Sequence, residues 1–262
     1  MINYATGGKV MAVKEKGEYT LEEAKRIADG YDAISFDIFD TLVMRKVYFN
    51  HDVFRMVGRK YERQIPNFFE LRTEAERELT KDGYPFIEEI YNRVAEKSGI
   101  DDKLKTEIMQ YEIETERHVI VPRFSVIELF NYCKQTGKKV SIVSDMYMHK
   151  PEIEDIIKKM GIDGYYRIFV SSEYDTSKPQ HLFEEYKKEV VASSYLHIGD
   201  SYACDVEPSQ RANIDCFRIE PSSEIYEKMG NRPSEDFEER VRQAEYIATR
   251  LNSPFLETAS AV

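Results

Sequence analysis

The sequence has no tryptophan and only three cysteines among its 262 residues. Cys133, Cys204 and Cys216 are far apart, odd in number and form no CxxC pair. This spacing argues against a disulfide framework and against a zinc site. Free thiols in a reducing compartment are therefore the simplest expectation.

Positive charge is also in deficit. Asp and Glu number 48 against 37 Lys and Arg, which gives a net charge of −11. Because nucleic-acid-binding proteins usually carry a basic face, we expect no nucleic acid as a partner. No apolar run approaches the roughly 18 residues of a membrane helix, and no signal peptide begins the chain. The expectation is a cytoplasmic protein with no membrane partner.

Near-continuous apolar runs are present, and they are typical of parallel strands that are buried on both faces. They lie at Ala33–Phe39, Val140–Val143, Arg167–Val170, Tyr195–Ile198 and Asp215–Ile219. Helical patterns separate these runs, for example Pro151–Met160 and Gln180–Val190. The alternation predicts an α/β fold with a doubly wound, mostly parallel sheet. His197 falls inside the fourth run and is expected in the core of the sheet.

The first two predicted strands are too far apart for a single crossover helix. The intervening residues have helical patterns, including an apolar stripe at Ile87, Ile90, Tyr91 and Val94. We therefore predict a helical cap over residues 49–121, inserted into a core formed by residues 20–48 and 122–225.

Both ends of the chain lie outside this predicted core. Residues 1–19 are weakly patterned, whereas Thr20 and Glu23 form a capping-box signature for a helix over Leu21–Ala28. A C-terminal helical extension is predicted over residues 226–262. Its apolar stripe consists of Phe237, Val241, Ala244, Ile247 and Leu251. This stripe packs on the core or forms an oligomer contact, and the sequence leaves both alternatives open.

Polar residues suited to chemistry follow four of the predicted strands. Asp37 lies in AISFDIFDTLV, Ser144 in VSIVSDMYM, Lys178 in SSEYDTSKPQHLF, and Asp200 and Asp205 in HIGDSYACD. In an open parallel sheet, ligands bind at the carboxyl ends of the strands. We therefore expect these side chains to meet at one site.

Their residue types suit phosphate chemistry. An exposed Asp37 carboxylate can attack phosphorus, and a fixed ammonium can offset the charge that develops. Pro179 suits the first turn of a helix, which would fix Lys178 near the helix start. In a sheet whose order places the fourth strand beside the first, Asp200 would approach Asp37. The two carboxylates would then repel each other unless a cation lay between them, and Mg²⁺ prefers oxygen ligands.

The order Asp, Ser, Lys-Pro and Gly-Asp-x-x-x-x-Asp resembles the haloacid dehalogenase superfamily, and the inserted helices resemble its helical cap type. FDIFDTL and SDMYM look most like predicted hydrolases of this superfamily that occur with bacterial glycosyltransferase systems. The resemblance implies a Rossmann-like core and a Mg²⁺-dependent phosphohydrolase acting on a small phosphorylated metabolite. A homodimer or a partner from a glycosyltransferase system is a further expectation.

The resemblance also implies a metal site. Asp37 would be the nucleophile, form an aspartyl-phosphate and bind Mg²⁺, with the backbone carbonyl of Phe39 as a second ligand. Asp200 would hold the metal directly or through water. Asp205 would assist there or orient Lys178.

Phosphate binding is implied at a second set of residues. Thr41 and Ser144 would bind the phosphate oxygens. Lys178 would bind the phosphate and stabilise its charge during the reaction.

Phe39 departs from the pattern, because most phosphatases of the superfamily have a general-acid Asp there. Such an acid is worth about 10²–10⁴ in rate. One explanation is a good leaving group, or an acid supplied by Asp40, Asp145 or the cap, although Asp40 is expected to stabilise the turn. The others are phosphonate or carbon–halogen cleavage, and a non-catalytic phosphate- or partner-binding module.

Overall fold

The computed structural model describes residues 19–81 and 83–256. The N-terminal segment before Tyr19 and residues 257–262 lie outside the described residues. None of the helices within the described part has both the length and the apolar composition that crossing a bilayer requires.

A five-stranded parallel sheet forms the centre of the fold, with the order β5-β4-β1-β6-β7. Its strands are β1 (Ala33–Phe36), β4 (Lys139–Ser144), β5 (Arg167–Val170), β6 (Tyr195–Gly199) and β7 (Asp215–Arg218). The central position of β1, flanked by β4 and β6, is the arrangement expected of a doubly wound sheet. The predicted α/β class is confirmed, and His197 is fully buried within the sheet.

Helices flank this sheet and fill the region between its first two strands. They are α1 (Leu21–Asp29), α2 (Asp52–Lys60), α3 (Phe68–Leu79), α4 (Ile87–Ser98), α5 (Asp102–Val119), α6 (Phe124–Gln135), α7 (Lys150–Lys159), α8 (Ser171–Tyr174), α9 (Leu182–Glu189), α10 (Glu207–Arg211), α11 (Ser222–Lys228) and α12 (Phe237–Arg250). The predicted capping box of α1 forms, because the Thr20 side chain accepts the Glu23 N–H and Glu23 accepts the Thr20 N–H.

The first strand is shorter than predicted. It ends at Phe36, although the Asp37 N–H still donates to the Ile198 carbonyl at 2.9 Å. The chain then leaves the sheet and turns at Asp40, which adopts a φ of 56°. Asp and Asn tolerate this left-handed region better than most residues other than glycine. The turn therefore brings the residues after Asp37 over the edge of the sheet.

A two-stranded antiparallel ribbon, β2 (Val43–Arg45) with β3 (Ile120–Pro122), connects the sheet to helices α2–α5. We call the ribbon the hinge ribbon and these four helices the cap helices. The predicted stripe on α4 is buried, as the amphipathic pattern requires. The domain boundaries stay a prediction.

The C-terminal helix α12 packs on the hinge ribbon of its own chain. Ala244 and Ile247 form a buried apolar cluster with Met44 and Tyr48. The Arg240 guanidinium also donates twice to the Asp52 carboxylate at the start of α2, at 3.1 and 2.7 Å. The C-terminal extension therefore connects the hinge ribbon with the first cap helix.

Candidate active site

Asp37 lies at the carboxyl end of β1, in the middle of the sheet edge. The neighbouring strands place Ser144 on one side of it and Asp200 on the other. The Ser144 hydroxyl donates to Asp37 Oδ1 at 3.0 Å, and both residues are buried. The expected convergence at the carboxyl end of the sheet is therefore present.

Lys178 reaches the same carboxylate from the segment that follows β5. Its Nζ lies 2.9 Å from Asp37 Oδ1 and 2.5 Å from Asp205 Oδ1. Its backbone N–H donates to Asp145 Oδ1 at 2.9 Å. The predicted helix start at Pro179 is wrong, because α9 begins only at Leu182. Contacts with distant carboxylates, and not a helix turn, hold Lys178 in place.

Gly199 allows Asp205 to fold back over the end of β6. A Cβ at Gly199 would lie 2.4 Å from the Asp205 Cγ, which no side chain tolerates. Asp205 belongs to a π-helical turn, Tyr202–Val206, a rare element that often marks functional sites. Its Oδ2 accepts the N–H groups of Asp200 and Ser201 at 3.1 and 2.9 Å. The Gly-Asp motif is thus a compact loop built around Asp205.

His197 extends this network into the sheet. Its Nε2 lies 3.0 Å from Asp205 Oδ1, and its Nδ1 lies 2.9 Å from the Ser35 hydroxyl. The sequence placed His197 in the core but did not predict this contact. The available signal was a histidine inside an apolar strand, two residues before Gly-Asp. Both oxygens of Asp205 are therefore already engaged by protein groups.

Three carboxylates meet at the edge of the sheet. One oxygen each of Asp37, Asp200 and Asp205, which we call the carboxylate cluster, lie within 4.8 Å of one another. Among the described residues, no side chain or backbone group donates to the Asp200 carboxylate. The cluster holds more negative charge than Lys178 alone can balance.

Burial acts to raise the pKa of all three carboxylates, but the neighbouring charges that oppose it differ. It raises the pKa of Asp200 well above its usual range, and the charges of Asp40, Asp205 and Asp37 add to the effect. It also raises the pKa of Asp37 to about 6, against the opposing charge of Lys178. At Asp205 burial would raise the pKa, but Lys178 and His197 outweigh it and lower the value.

These donors fit a hard divalent cation such as Mg²⁺, which prefers oxygen ligands and offsets repulsion between carboxylates. Asp200 suits it best, since its half-buried carboxylate has no other partner in the described part of the chain. Asp205 suits it least, because its oxygens accept bonds from Lys178, His197 and two backbone amides.

A cleft of about 630 Å³ opens from this edge toward the cap helices. Its lining includes Asp37, Ser144, Lys178 and Asp200 from the sheet side, and Thr73, Glu76, Thr80 and Tyr84 from the cap side. Asp40 and Asp145 also line it, whereas Thr41 does not. Thr41 is fully buried, and its hydroxyl has no hydrogen-bond partner among the described residues. Its phosphate-binding role stays a prediction.

Phe39 lies in this cleft beneath a cation that the sequence analysis missed. The Arg45 guanidinium carbon lies 3.9 Å from the centroid of the Phe39 ring. Arg45 Nε donates to Glu116 of α5 at 2.8 Å, and both side chains are buried. The available signal was a charged residue within the apolar segment that follows Asp37.

Comparison with known proteins identifies a family for this chain. The family model described as haloacid dehalogenase-like hydrolase matches residues 31–213. A comparison with curated protein sequences gives no significant match.

Solved structures show the same fold. A haloacid dehalogenase-like family hydrolase from Xanthomonas campestris is 16% identical with a TM-score of 0.54, and the match covers 93% of this chain and 98% of that one. A 2-haloacid dehalogenase from Pseudomonas syringae is 13% identical with a TM-score of 0.52, over 84% and 99% of the two chains. The L-2-haloacid dehalogenase from Xanthobacter autotrophicus is also 13% identical, with a TM-score of 0.51, over 87% and 91%. Because the family model matches more than half of its length, the chain belongs to the haloacid dehalogenase-like hydrolases.

Proposed function

We propose that the protein is a Mg²⁺-dependent phosphohydrolase that acts on a small phosphorylated metabolite through an aspartyl-phosphate on Asp37. The observation that carries the proposal is the asymmetry around Asp37. Its Oδ1 accepts a hydrogen bond from Ser144 and is paired with Lys178, while the Asp200 carboxylate beside it has no hydrogen-bond or ion-pair partner within residues 19–81 and 83–256. This chemistry needs a carboxylate that attacks phosphorus, which is Asp37, and a carboxylate that can bind the metal, which is Asp200.

The contacts of Asp37 favour one of its oxygens as the nucleophile. With Oδ1 held by Ser144 and Lys178, Oδ2 has no partner among the described residues and is the atom that attacks phosphorus. The bond from phosphorus to the leaving group breaks as the new bond to Oδ2 forms. Lys178 neutralises charge on the phosphoryl oxygens, and a fixed ammonium in a water-poor site is effective in this role.

Asp37, Asp200 and the Phe39 carbonyl are the groups that would hold Mg²⁺. When bound there, Mg²⁺ supplies positive charge to the phosphate oxygens and orients the group for attack. Asp205 keeps Lys178 and the Gly-Asp loop in position through its two occupied oxygens.

The cap helices contribute the far wall of the cleft, so they select the remainder of the substrate. A cleft of about 630 Å³ suits a small metabolite. Closure of such a cap over the site excludes water while the aspartyl-phosphate forms.

The test is phosphate release from a panel of phosphorylated metabolites, with and without Mg²⁺. We expect Mg²⁺-dependent turnover of at least one compound, and loss of it to background in Asp37→Asn. The variant preserves the shape of the side chain and the bond from Ser144, so it should keep the melting temperature close to that of the wild type. Undiminished turnover by Asp37→Asn would exclude the mechanism.

Carbon–halogen hydrolysis is the second candidate, favoured by Phe39 and by the 2-haloacid dehalogenases among the structural relatives. It predicts chloride release from 2-haloacids without Mg²⁺, and gives the Asp200 carboxylate no role. Metal-dependent phosphonate cleavage would instead use the same cluster on a carbon–phosphorus bond. If phosphate binds but no compound turns over, the protein is a binding module.

A further inference from the structure

The position expected to provide the general acid holds Phe39, and the group that covers the Phe39 ring is a permanent cation. Arg45 is buried, 7% exposed, and its guanidinium carbon lies 3.9 Å from the ring centroid. Cation–aromatic contacts of this kind fix a guanidinium over the face of a ring. The site therefore presents positive charge where most relatives would present a proton.

The hydrogen bonds of Arg45 fix its orientation. Its Nε donates to Glu116 at 2.8 Å and its NH1 lies 3.4 Å from the Asn50 side-chain oxygen. Its NH2 has no partner among the described residues, while Arg45 lines the cleft together with Asp37 and Phe39. A guanidinium offers five N–H donors in one plane, so this edge remains available for an anionic ligand.

An arginine cannot act as the missing acid, because it does not lose its proton at neutral pH. It can stabilise an oxygen that departs as an anion. Carboxylic acids have a pKa of about 4, and the second ionisation of phosphate has a pKa of about 6. A carboxylate and a phosphate can therefore both depart as anions without a proton from an acid. An alkoxide is far more basic and needs an acid to leave at a useful rate.

We propose that the substrate is a phosphoric anhydride, an acyl phosphate or a diphosphate, and that Arg45 binds its anionic leaving group. This inference rests on the proposed phosphohydrolase function. In the first step, an Asp37 oxygen bonds to phosphorus and the leaving-group oxygen departs with the bonding electron pair. In the second, the oxygen of a water bonds to phosphorus and the bond from phosphorus to the Asp37 oxygen breaks. Asp37 regains its carboxylate, and H₂PO₄⁻ leaves with both protons of the water.

The first experiment compares leaving groups on the full-length protein with Mg²⁺. Acetyl phosphate and pyrophosphate represent the two anhydrides, and glycerol 3-phosphate and glucose 6-phosphate represent alkyl esters. We expect kcat/KM for at least one anhydride to exceed that for both esters by about 10²–10⁴-fold, the worth of a general acid. The larger of the two anhydride values identifies the leaving group as carboxylate or phosphate. Phe39→Asp should raise kcat/KM for the esters and bring it closer to kcat/KM for the anhydrides.

The second experiment removes the cation. Because Arg45→Gln alone leaves Glu116 buried without its partner, the informative variant is Arg45→Gln with Glu116→Gln, checked for an unchanged melting temperature. It should lower kcat/KM for the anhydride by about 10²-fold, as loss of a transition-state donor does. The exposed cap residue Arg63 gives the matched control, since Arg63→Gln removes the same charge outside the cleft.

The outcomes separate the inference from the function on which it rests. Turnover of alkyl esters within tenfold of the anhydrides would overturn the anhydride assignment and leave the phosphohydrolase intact. A double variant whose kcat/KM for the anhydride stays within a few-fold of the wild type, as in Arg63→Gln, would overturn the role of Arg45. If neither anhydrides nor esters release phosphate in an Asp37-dependent reaction, the proposed function fails, and the inference fails with it.

Discussion

Two groups of charged side chains, one in the cap helices and one at the sheet edge, are arranged in opposite ways. In the cap helices, Arg72 is fully buried and donates to both oxygens of Glu112, at 2.9 and 2.7 Å. The Tyr91 hydroxyl also donates to Glu112, and Glu76, 30% exposed, takes the remaining side of Arg72. Each buried charge in the cap thus has a dedicated partner.

At the sheet edge, the carboxylates outnumber the cations that contact them. Lys178 is the ammonium for both Asp37 and Asp205, and Asp200 lies beside them with no donor of its own in the described residues. Removing carboxylates from water is costly unless paired charges and hydrogen bonds compensate. The contrast indicates that the cap pair is complete as it stands, whereas the carboxylate cluster is arranged for a cation and an anionic substrate.

The largest effect on stability is expected from breaking the ion pair between Arg72 and Glu112. Arg72→Met leaves Glu112 buried and charged without its partner, which should lower the free energy of unfolding by about 3–5 kcal/mol. Adding Glu112→Gln removes the unpaired charge and keeps an oxygen for the Tyr91 hydroxyl, so it should restore most of the loss. Urea denaturation of the single and double variants measures both effects. A double variant no more stable than the single one would show that packing, and not charge balance, determines stability here.

At the sheet edge, removing the buried cation should lower the rate of the reaction. Lys178→Met removes the only ammonium in the described part of the chain that contacts Asp37. We expect kcat to fall by about 10²–10³-fold, the typical cost of losing one transition-state donor. Lys188→Met is the matched control, because that side chain is 66% exposed on α9. Steady-state kinetics on the best substrate checks both variants. A rise in KM with kcat unchanged would assign Lys178 to ground-state binding alone.

The sheet edge was predictable because its signals are local. Each buried strand is a short apolar run, and the polar residue that ends it is next in sequence, as Asp37 follows Phe36. A parallel sheet then brings the strand ends together whatever the intervening chain does. The predictions for Ser144 and Asp200 needed only this rule.

The parts that were missed depend on distant contacts. Pro179 has a local preference for a helix start, but Asp145, 33 residues before Lys178, and the two carboxylates at its Nζ fix that segment instead. Arg45 and Glu116 are 71 residues apart and meet only because the hinge ribbon pairs its two strands. No local pattern predicts that Arg45 pairs with Glu116, so only the fold shows that this cation lies over Phe39.

The smallest expected change in stability comes from replacing Asp200. Its sign is opposite to that of Arg72→Met, because removing the charge of Asp200 should stabilise the metal-free protein. Because burial and the neighbouring carboxylates raise the pKa of Asp200, its charged form is unfavourable in the metal-free fold. Asp200→Asn keeps the shape and removes the charge, so the metal-free protein should become more stable by roughly 0.5–2 kcal/mol. Asp102→Asn, at a side chain 95% exposed, should not stabilise the protein.

The same Asp200→Asn variant should lose its response to Mg²⁺. A ligand that binds only the folded state stabilises it, by about 2.7 kcal/mol at a hundredfold excess over Kd. Thermal unfolding with and without Mg²⁺ should therefore show a rise in melting temperature for the wild type and none for Asp200→Asn. Mg²⁺ titration followed by calorimetry gives a second readout that is independent of activity. If the variant is destabilised without metal, Asp200 has a protein partner that balances its charge, and the contrast between the cap pair and the carboxylate cluster disappears.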